Sequence, residues 1–434
     1  MKILLVNYRY FISGGPERYM FNVKEALEQK GHKIIPFSVR NSKNIETKYS
    51  KYFVENIGKS NEVFINNYPK TFRTYFDLIG REFYSWKVKR KLKKLIKATK
   101  PDLCYLLAYK RALSPSVIDA CYECGVPVVN RISDYNVVCG ACSLYHNGSL
   151  CTKCYVDNDK SCVKNRCIKG NLLYSFMRYL SMKLFQLLNF NKKISAFVCT
   201  NGFMKDMMEK RGYDNGKLNV IPTFFKDNHA YELIDKSNVV SNIINFLYIG
   251  NIDESKGIYD LINALEILSK KTVSFHLSIV GGLHEEENNK VLSLLKDKGI
   301  DKYVSFQPFR SDGKVFKYYL ENNITILPAR WPENLPNTLI ESLYFNRPVV
   351  VPKWGSFKYT VCDKVAFYYE PLSYTSLSEI LYSIIKKPED ICSKSSYCHE
   401  FFMENYSENL HIEKLLSLFK SIIEEKKKIK INKN

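Results

Sequence analysis

Two carboxylates, Glu333 and Glu341, flank a turn that opens a helix within the stretch ARWPENLPNTLIESLYFNRPVVVP, Ala329 to Pro352. NITILPA before the turn reads as a buried strand. After it, Leu339, Leu343 and Tyr344 recur at helical spacing, and Arg347-Pro348 leads into a second apolar run. A unit of strand, loop, helix and strand binds its ligand at the carboxyl end of the first strand. There the N–H groups of the helix start, near Asn337 and Thr338, can hold an anion without metal. The spacing suits a ligand with both a diphosphate and a ribose. The plain alternative is an ordinary turn with two surface acids, because helix starts favour acids in any case.

The rest of the chain supplies matching units. KILLVNY runs into a loop with Gly14-Gly15-Pro16 and then a helix from about Glu17, with Met20, Val23 and Leu27 on one face. HKIIPFSV, PDLCYLL, GVPVVNRISDYN, SAFVCTN and KLNVIPT continue as strands, the third ending in a polar loop with Ser133 and Asp134. A polar stretch from Asp227 to Asn242 breaks the pattern, and INFLYIGNIDESKGIYDLINALEIL restarts it. FHLSIVGG, KYVSFQPF, NITILPA and RPVVVP complete a second set. The expected fold is α/β, with two doubly wound Rossmann-like domains facing across a cleft. They span residues 1–226 and 227–404; a helix over 405–425 packs back on the first domain, and 426–434 is a basic, frayed tail.

A chain of 434 residues with 45% hydrophobic content supports two cores. No apolar run reaches the roughly 18 residues that span a bilayer, and MKILLVNYRYF is too short for a signal peptide, so a cytoplasmic location is expected. The net charge of +21 implies an anionic partner. The segment with Lys87, Lys89, Arg90, Lys91, Lys93, Lys94 and Lys97 also carries Trp86, Val88, Leu92, Leu95 and Ile96, a basic amphipathic helix suited to the inner face of the plasma membrane. The more apolar stretch from Leu172 to Phe190 is expected to be buried against the first domain.

Of 13 cysteines, six fall between residues 139 and 167. Cys139-x2-Cys142 and Cys151-x2-Cys154 are chelating pairs suited to a structural zinc, with reduced, buried thiols as the alternative. Such an insert beside many lysines also permits a zinc-containing nucleic-acid-binding protein, a reading that leaves Glu333 and Glu341 without a role.

Taken together, the GGPERY loop, YIGNIDESKGIYDLINAL and ENLPNTLIE resemble glycosyltransferase family 4, over nearly the whole chain. The resemblance implies the two-domain GT-B fold and transfer of a sugar from a UDP- or GDP-type nucleotide-sugar to a glycan acceptor. Anomeric configuration is retained and no cofactor is required. It further implies a lipid-linked intermediate of capsule or O-antigen synthesis as acceptor, and no nucleic-acid partner. In the implied site Lys256 and the N–H groups near Asn337 meet the diphosphate, Glu341 the ribose, and Glu333 the donor sugar. Gly14, Gly15, Asn251, Asn334, Leu335 and Thr338 complete the donor site. The family often has Arg where Asn251 stands, and His where Ser133 stands, so Asp134 inherits the acceptor-side polar role; these two departures leave room for a silent sugar-binding relative. A related insert in some members corresponds to Cys139, Cys151, Cys154 and Cys167, with Cys142 extra. Asp157-Asn158-Asp159 spells the metal-binding motif of a different glycosyltransferase fold, but lies in the insert away from any strand end.

Overall fold

The computed structural model describes residues 1–63, 67–156, 158–226, 242–282, 285–308 and 315–431. The expected break at 226/227 borders 227–241, which lie outside the described residues. The first half contributes β1 (Lys2–Asn7), β2 (Lys33–Phe37), β3 (Leu103–Ala108), β4 (Val128–Ile132), the short pair β5 (Tyr145–His146) and β6 (Ser149–Leu150), then β7 (Ala196–Cys199) and β8 (Leu218–Val220). The second half contributes β9 (Ile244–Gly250), β10 (Phe275–Gly281), β11 (Val304–Pro308), β12 (Ile324–Ile326), β13 (Val349–Pro352) and β14 (Ala366–Tyr369). Two six-stranded parallel sheets result, ordered β2-β1-β3-β4-β7-β8 and β11-β10-β9-β12-β13-β14, and β5 pairs antiparallel with β6. The strands are continuous apolar runs because helices cover both faces of each sheet. In β1, for example, every residue after Lys2 is buried.

The order β2-β1-β3 and its counterpart β10-β9-β12 place a switch point beside the first strand of each half, where strand ends splay to admit a ligand. Both expected Rossmann-like domains are therefore present. The edge strand β14 and the β5/β6 pair are additions that short, weakly alternating segments do not announce.

The helix Glu389–Tyr406 packs on the second domain through Cys398, Phe402 and Tyr406, and the backbone turns to extended at Ser407. The helix Glu408–Ile431 then crosses to the first domain. Ile412, Leu415, Phe419 and Ile422 share one core with Ile3, Leu5, Tyr19 and Met20. The expected return helix is there, but helix continues through the first part of the supposed tail, to Ile431; 432–434 lie outside the described residues.

His411 fastens this crossing. Its Nδ1–H donates to the Pro222 carbonyl at 2.6 Å, which leaves Nε2 to accept from the Tyr19 hydroxyl at 3.0 Å; Tyr105 in turn bonds Tyr19 at 2.7 Å. Burial pushes the imidazole from its ordinary 6.5 down to about 3. A depressed folded value means that His411 contributes its full stability above pH 6.5 and loses it as pH falls toward 3, at about 1.4 kcal/mol per pH unit. The urea midpoint is expected to drop between pH 7 and pH 5, and the drop should shrink in His411→Gln. Equal slopes in the two proteins would show that His411 is not the group responsible.

One surface expectation resolves toward the core, which the pattern allows as well as the lipid, and one is corrected. In the basic helix Trp86–Thr99 the apolar face is spent on the first core through Val88, Leu92, Leu95 and Ile96, leaving only Trp86 of its large apolar residues outside. Conversely, the helix Leu172–Leu187 is not buried. Leu172, Leu173, Phe176 and Leu180 are exposed, because the helix touches its neighbours through Ser175, Arg178, Ser181 and Met182.

Candidate functional site

At the carboxyl ends of the strands the two domains enclose a cavity of about 520 Å³. The first domain supplies Gly15 after β1, Arg131 and Ser133 at β4, Thr200 after β7 and Thr223 after β8. The second supplies Gly250 and Asn251 after β9, Lys256, and the loop from Leu327 to Thr338 after β12. Eight residues expected from the sequence line it: Gly15, Asn251, Lys256, Glu333, Asn334, Leu335, Asn337 and Thr338. Gly14, Asp134 and Glu341 do not.

The Lys256 ammonium donates to Glu333 Oε1, and the Trp331 indole N–H donates to the same oxygen at 3.0 Å. Lys256 also lies 5.0 Å from the Trp331 ring centre. The cation expected on a phosphate and the carboxylate expected beside a sugar are thus held against each other. Lys256 is positioned by its turn: Asp253 Oδ1 accepts from the Lys256 backbone N–H at 3.2 Å, and Gly257 follows with φ of 75°. The helix Asn337–Tyr344 starts after Pro336 with no side-chain cap, so its N-terminal end is open toward the cavity.

First-domain side chains clasp this loop. Thr200 Oγ1 donates to Asn334 Oδ1 at 2.7 Å, Asn201 Nδ2 to the same oxygen at 2.8 Å, and Tyr135 donates to the Glu333 carbonyl at 2.9 Å. The approach is close at the glycine loop as well. A Cβ on Gly15 would lie 2.8 Å from Asn337 Nδ2 of the other domain, whereas Gly14 has φ of 178°, extended backbone open to any residue, and is the cap before the helix Gly15–Gln29. The close approach of the two domains is thus at Gly15, where only the Asn337 amide would have to shift for a side chain, and not at Gly14.

Glu341 lies one turn into its helix and is buried. It accepts from Tyr319 at 2.9 Å, and burial raises its pKa against the opposing pull of the Tyr319 bond and the Arg18 charge. Asn251 is exposed, its carbonyl accepting from Tyr248 at 2.7 Å. A cation that the motifs leave out, Arg131, also lines the cavity. Arg131 is 6% exposed, bonds Thr223 Oγ1 at 2.6 Å and lies 3.7 Å from the Tyr19 ring centre. Its signal was legible: one charge inside the apolar strand VVNRI. Asp134 caps its own loop, accepting from the Asn136 backbone N–H at 2.8 Å, and faces a neighbouring cavity that shares Arg131 and Ser133 with this one.

The cysteine insert does not assemble the expected zinc set. Among the described residues no three His, Cys, Asp or Glu side chains converge on a point that would hold a metal. The neighbouring Cys162, whose Sγ donates to the Ser175 carbonyl at 3.8 Å, pulls the Cys154 thiol down to about 7, and burial with the Cys154 charge pushes Cys167 up to about 12. Cys142 turns away, its sulfur 3.8 Å from the Gly140 carbonyl and 3.6 Å from Arg111 Nη2. Of the four thiols, Cys154 lies in the short helix Lys153–Val156 and Cys139, Cys151 and Cys167 in the turns around it, near enough that Cys154, Cys139 and Cys151 all act on the Cys167 thiol. Asp159 is ion-paired to Arg211 and to Lys183 at 3.4 Å, a structural acid; Asp157 lies outside the described residues. Leu150 packs against both the first-domain core and the second-domain core around Leu339, so the insert bridges the cleft.

Residues 231–397 match the family described as Glycosyl transferases group 1. A glycosyltransferase of Haemophilus influenzae with no assigned substrate is 36% identical over 104 residues, 24% of this chain and 28% of the relative. The lipopolysaccharide 1,2-N-acetylglucosaminetransferase of Salmonella typhimurium is 25% identical over 197 residues, 42% of this chain and 51% of the relative. The chain thus spans about half or less of these relatives' own length. The crystal structure of Anabaena HepE in complex with UDP-glucose has a TM-score of 0.60 at 15% identity, covering 96% of this chain and 99% of that one, a likeness of fold.

Proposed function

We infer that this chain, whose residues 231–397 match the glycosyl transferases group 1 family, is a retaining glycosyltransferase that takes its sugar from a UDP- or GDP-type donor. The observation that carries the reading is Lys256 beside Glu333 in an interdomain cavity into which the uncapped helix start at Asn337 opens. In the proposed reaction the bond from the anomeric carbon to the donor phosphate breaks and the acceptor oxygen bonds to the same face. The acceptor's proton passes to the departing phosphate oxygen. Charge grows on the diphosphate, where Lys256, Arg131 and the helix N–H groups stabilise it; such preorganised charge is commonly the largest catalytic contribution. Glu333, released from Lys256, turns to the donor hydroxyls, and Glu341 meets the ribose. The Salmonella relative and the UDP-glucose held by the Anabaena neighbour support a UDP donor and a surface-glycan acceptor. A thermal-shift screen of UDP-, GDP-, ADP- and TDP-sugars tests this: one nucleotide class should stabilise the protein. No stabilisation by any of them would count against a donor site here.

The zinc-based nucleic-acid reading loses its metal centre in the described residues. The acceptor reading keeps its membrane component, relocated. Phe72, Tyr75, Phe76 and Ile79 on the helix Phe72–Glu82, and Leu172, Leu173, Phe176 and Leu180 on the helix Leu172–Leu187, are exposed. The two helices are tied by Arg178 Nη1 to Glu82 Oε1 at 3.0 Å, and exposed Trp86, Lys87, Arg90 and Lys94 follow in the chain. Apolar and basic surface together fit peripheral contact with an anionic bilayer; among the described residues no helix is long and apolar enough to cross one. Phe72→Glu/Phe76→Glu should reduce co-sedimentation with phosphatidylglycerol vesicles about ten-fold while leaving UDP affinity intact. Undiminished vesicle binding would exclude this surface.

A further inference from the structure

Beside the donor cavity, a second cavity of about 470 Å³ is lined entirely by first-domain residues. Its wall carries Arg9, Lys110, Arg111, Arg131, Lys169 and Arg178 against one carboxylate, Asp134. Arg178 is matched by Glu82 at 3.0 Å and Arg9 reaches Glu17 at 3.7 Å. Three cations have only neutral hydrogen-bond partners, with Asp134 and Glu82 acting on Lys110, and Arg111 on Glu82, only from a distance. The Lys110 ammonium donates to the Asn136 carbonyl at 3.1 Å, Arg111 Nη2 approaches Cys142 Sγ at 3.6 Å, and Arg131 donates to Thr223. Arg131 Nε is buried without any hydrogen-bond partner. Arg111 is held at φ of 67°, a left-handed conformation that a non-glycine residue adopts at a cost and that is concentrated at functional sites. Burial, then the Arg178 charge, pushes Lys110 down to about 7. Concentrating cations at a half-closed wall is unfavourable until an anion completes the set.

We propose that this cavity binds a phosphate or diphosphate group carried by the acceptor; the proposal rests on the glycosyltransferase reading for the donor beside it. Three cations with no carboxylate bonded to them match a multiply charged group better than the single charge of a carboxylate. Tyr8, Tyr68 and Tyr109 on the same wall supply flat surface for a sugar ring. The shared residues Arg131 and Ser133 place a hydroxyl of such an acceptor at the mouth of the donor cavity. Arg178 comes from the helix whose outer face exposes Leu172, Leu173, Phe176 and Leu180, so an apolar chain esterified to the phosphate has a surface to lie on.

The test is calorimetric titration of the full chain with UDP saturating the donor cavity, so that the donor's own diphosphate site is filled. The probes are farnesyl diphosphate, inorganic pyrophosphate and farnesol. Both diphosphates should bind saturably, and Arg111→Gln and Lys110→Gln should each weaken them about ten-fold or more with UDP affinity changed less than about two-fold. Tighter binding of farnesyl diphosphate than of pyrophosphate would name a lipid-linked acceptor. Equal binding would name a water-soluble sugar phosphate, and the anion site stands in both cases. If UDP binds but neither diphosphate does, if neither variant weakens them, or if farnesol binds as well as farnesyl diphosphate, the proposal is overturned. A failure of UDP to bind, with diphosphate binding still lost in Arg111→Gln, would sink the donor reading and leave the anion site in place.

Discussion

Lys256→Ala is expected to lower kcat/KM about 10²- to 10³-fold and to remove thermal stabilisation by the donor nucleotide. Lys256 is a second-domain cation lining the interdomain cavity, and among the described residues its carboxylate partner, Glu333, lies on the same wall. The donor diphosphate must draw the ammonium away from Glu333, exchanging one anion for another of higher charge. In the alanine variant the nearly buried Glu333 keeps only the Trp331 N–H, so the site loses attraction for the phosphate and gains repulsion toward it. Two further variants separate the roles. Glu341→Ala should weaken nucleotide binding about ten-fold, because in the proposed complex the ribose hydroxyls compete with Tyr319 for this buried carboxylate. Glu333→Gln should slow transfer with little change in nucleotide affinity. Steady-state kinetics and nucleotide titration on the three proteins decide this; a Lys256→Ala enzyme with unaltered kcat/KM would remove the catalytic assignment altogether.

Gly257→Ala should destabilise the protein by about 3–5 kcal/mol, of the order of 10 °C in Tm. Gly257 has φ of +75°, and a Cβ there would lie 1.8 Å from the backbone oxygen of Pro328, at the end of β12. No rotamer change relieves a clash with a carbonyl; the turn that carries Lys256 or the strand end that carries Ala329 must move. Gly212→Ala is the natural control, since Gly212 has φ of +85° but no atom within 4 Å of the added Cβ. It should cost only about 1 kcal/mol, the conformational part alone. Equal melting temperatures for the two variants would show that the contact with Pro328 relaxes without penalty. The donor site should suffer with the fold, because the displaced turn and the displaced strand end both line the cavity.

Much of this architecture was legible before any coordinates. Periodicity places the strands whose ends form the cavity wall, and eight of the residues that the family resemblance implies meet there, because a doubly wound sheet gathers what lies just beyond its strand ends. What escaped was what depends on the neighbour. Arg131 stands out as the one charge in the strand VVNRI, but nothing local says that it lines two cavities. The clasp of Asn334 by Thr200 and Asn201 joins residues more than 130 positions apart. The apolar helix Leu172–Leu187 was taken as buried, since hydrophobic spacing reveals a face and not what covers it. The cysteine pairs had zinc-like spacing, yet their sulfurs are directed by the packing of the insert, with Cys154 toward Cys162 and Cys142 toward Arg111.

The crossing of the helix Glu408–Ile431 bears on how the protein comes off the ribosome. Ile3, Leu5, Tyr19 and Met20 are covered by Ile412, Leu415 and Phe419, so the core made first is closed by residues made only after the whole second sheet. The sheet from β9 to β14, with its helices to Tyr406, is contiguous and can complete its interior while the helix Glu408–Ile431 is still in the exit tunnel. The amino-terminal half must wait with one face bare, and its acquisition of protease resistance should lag until that helix emerges.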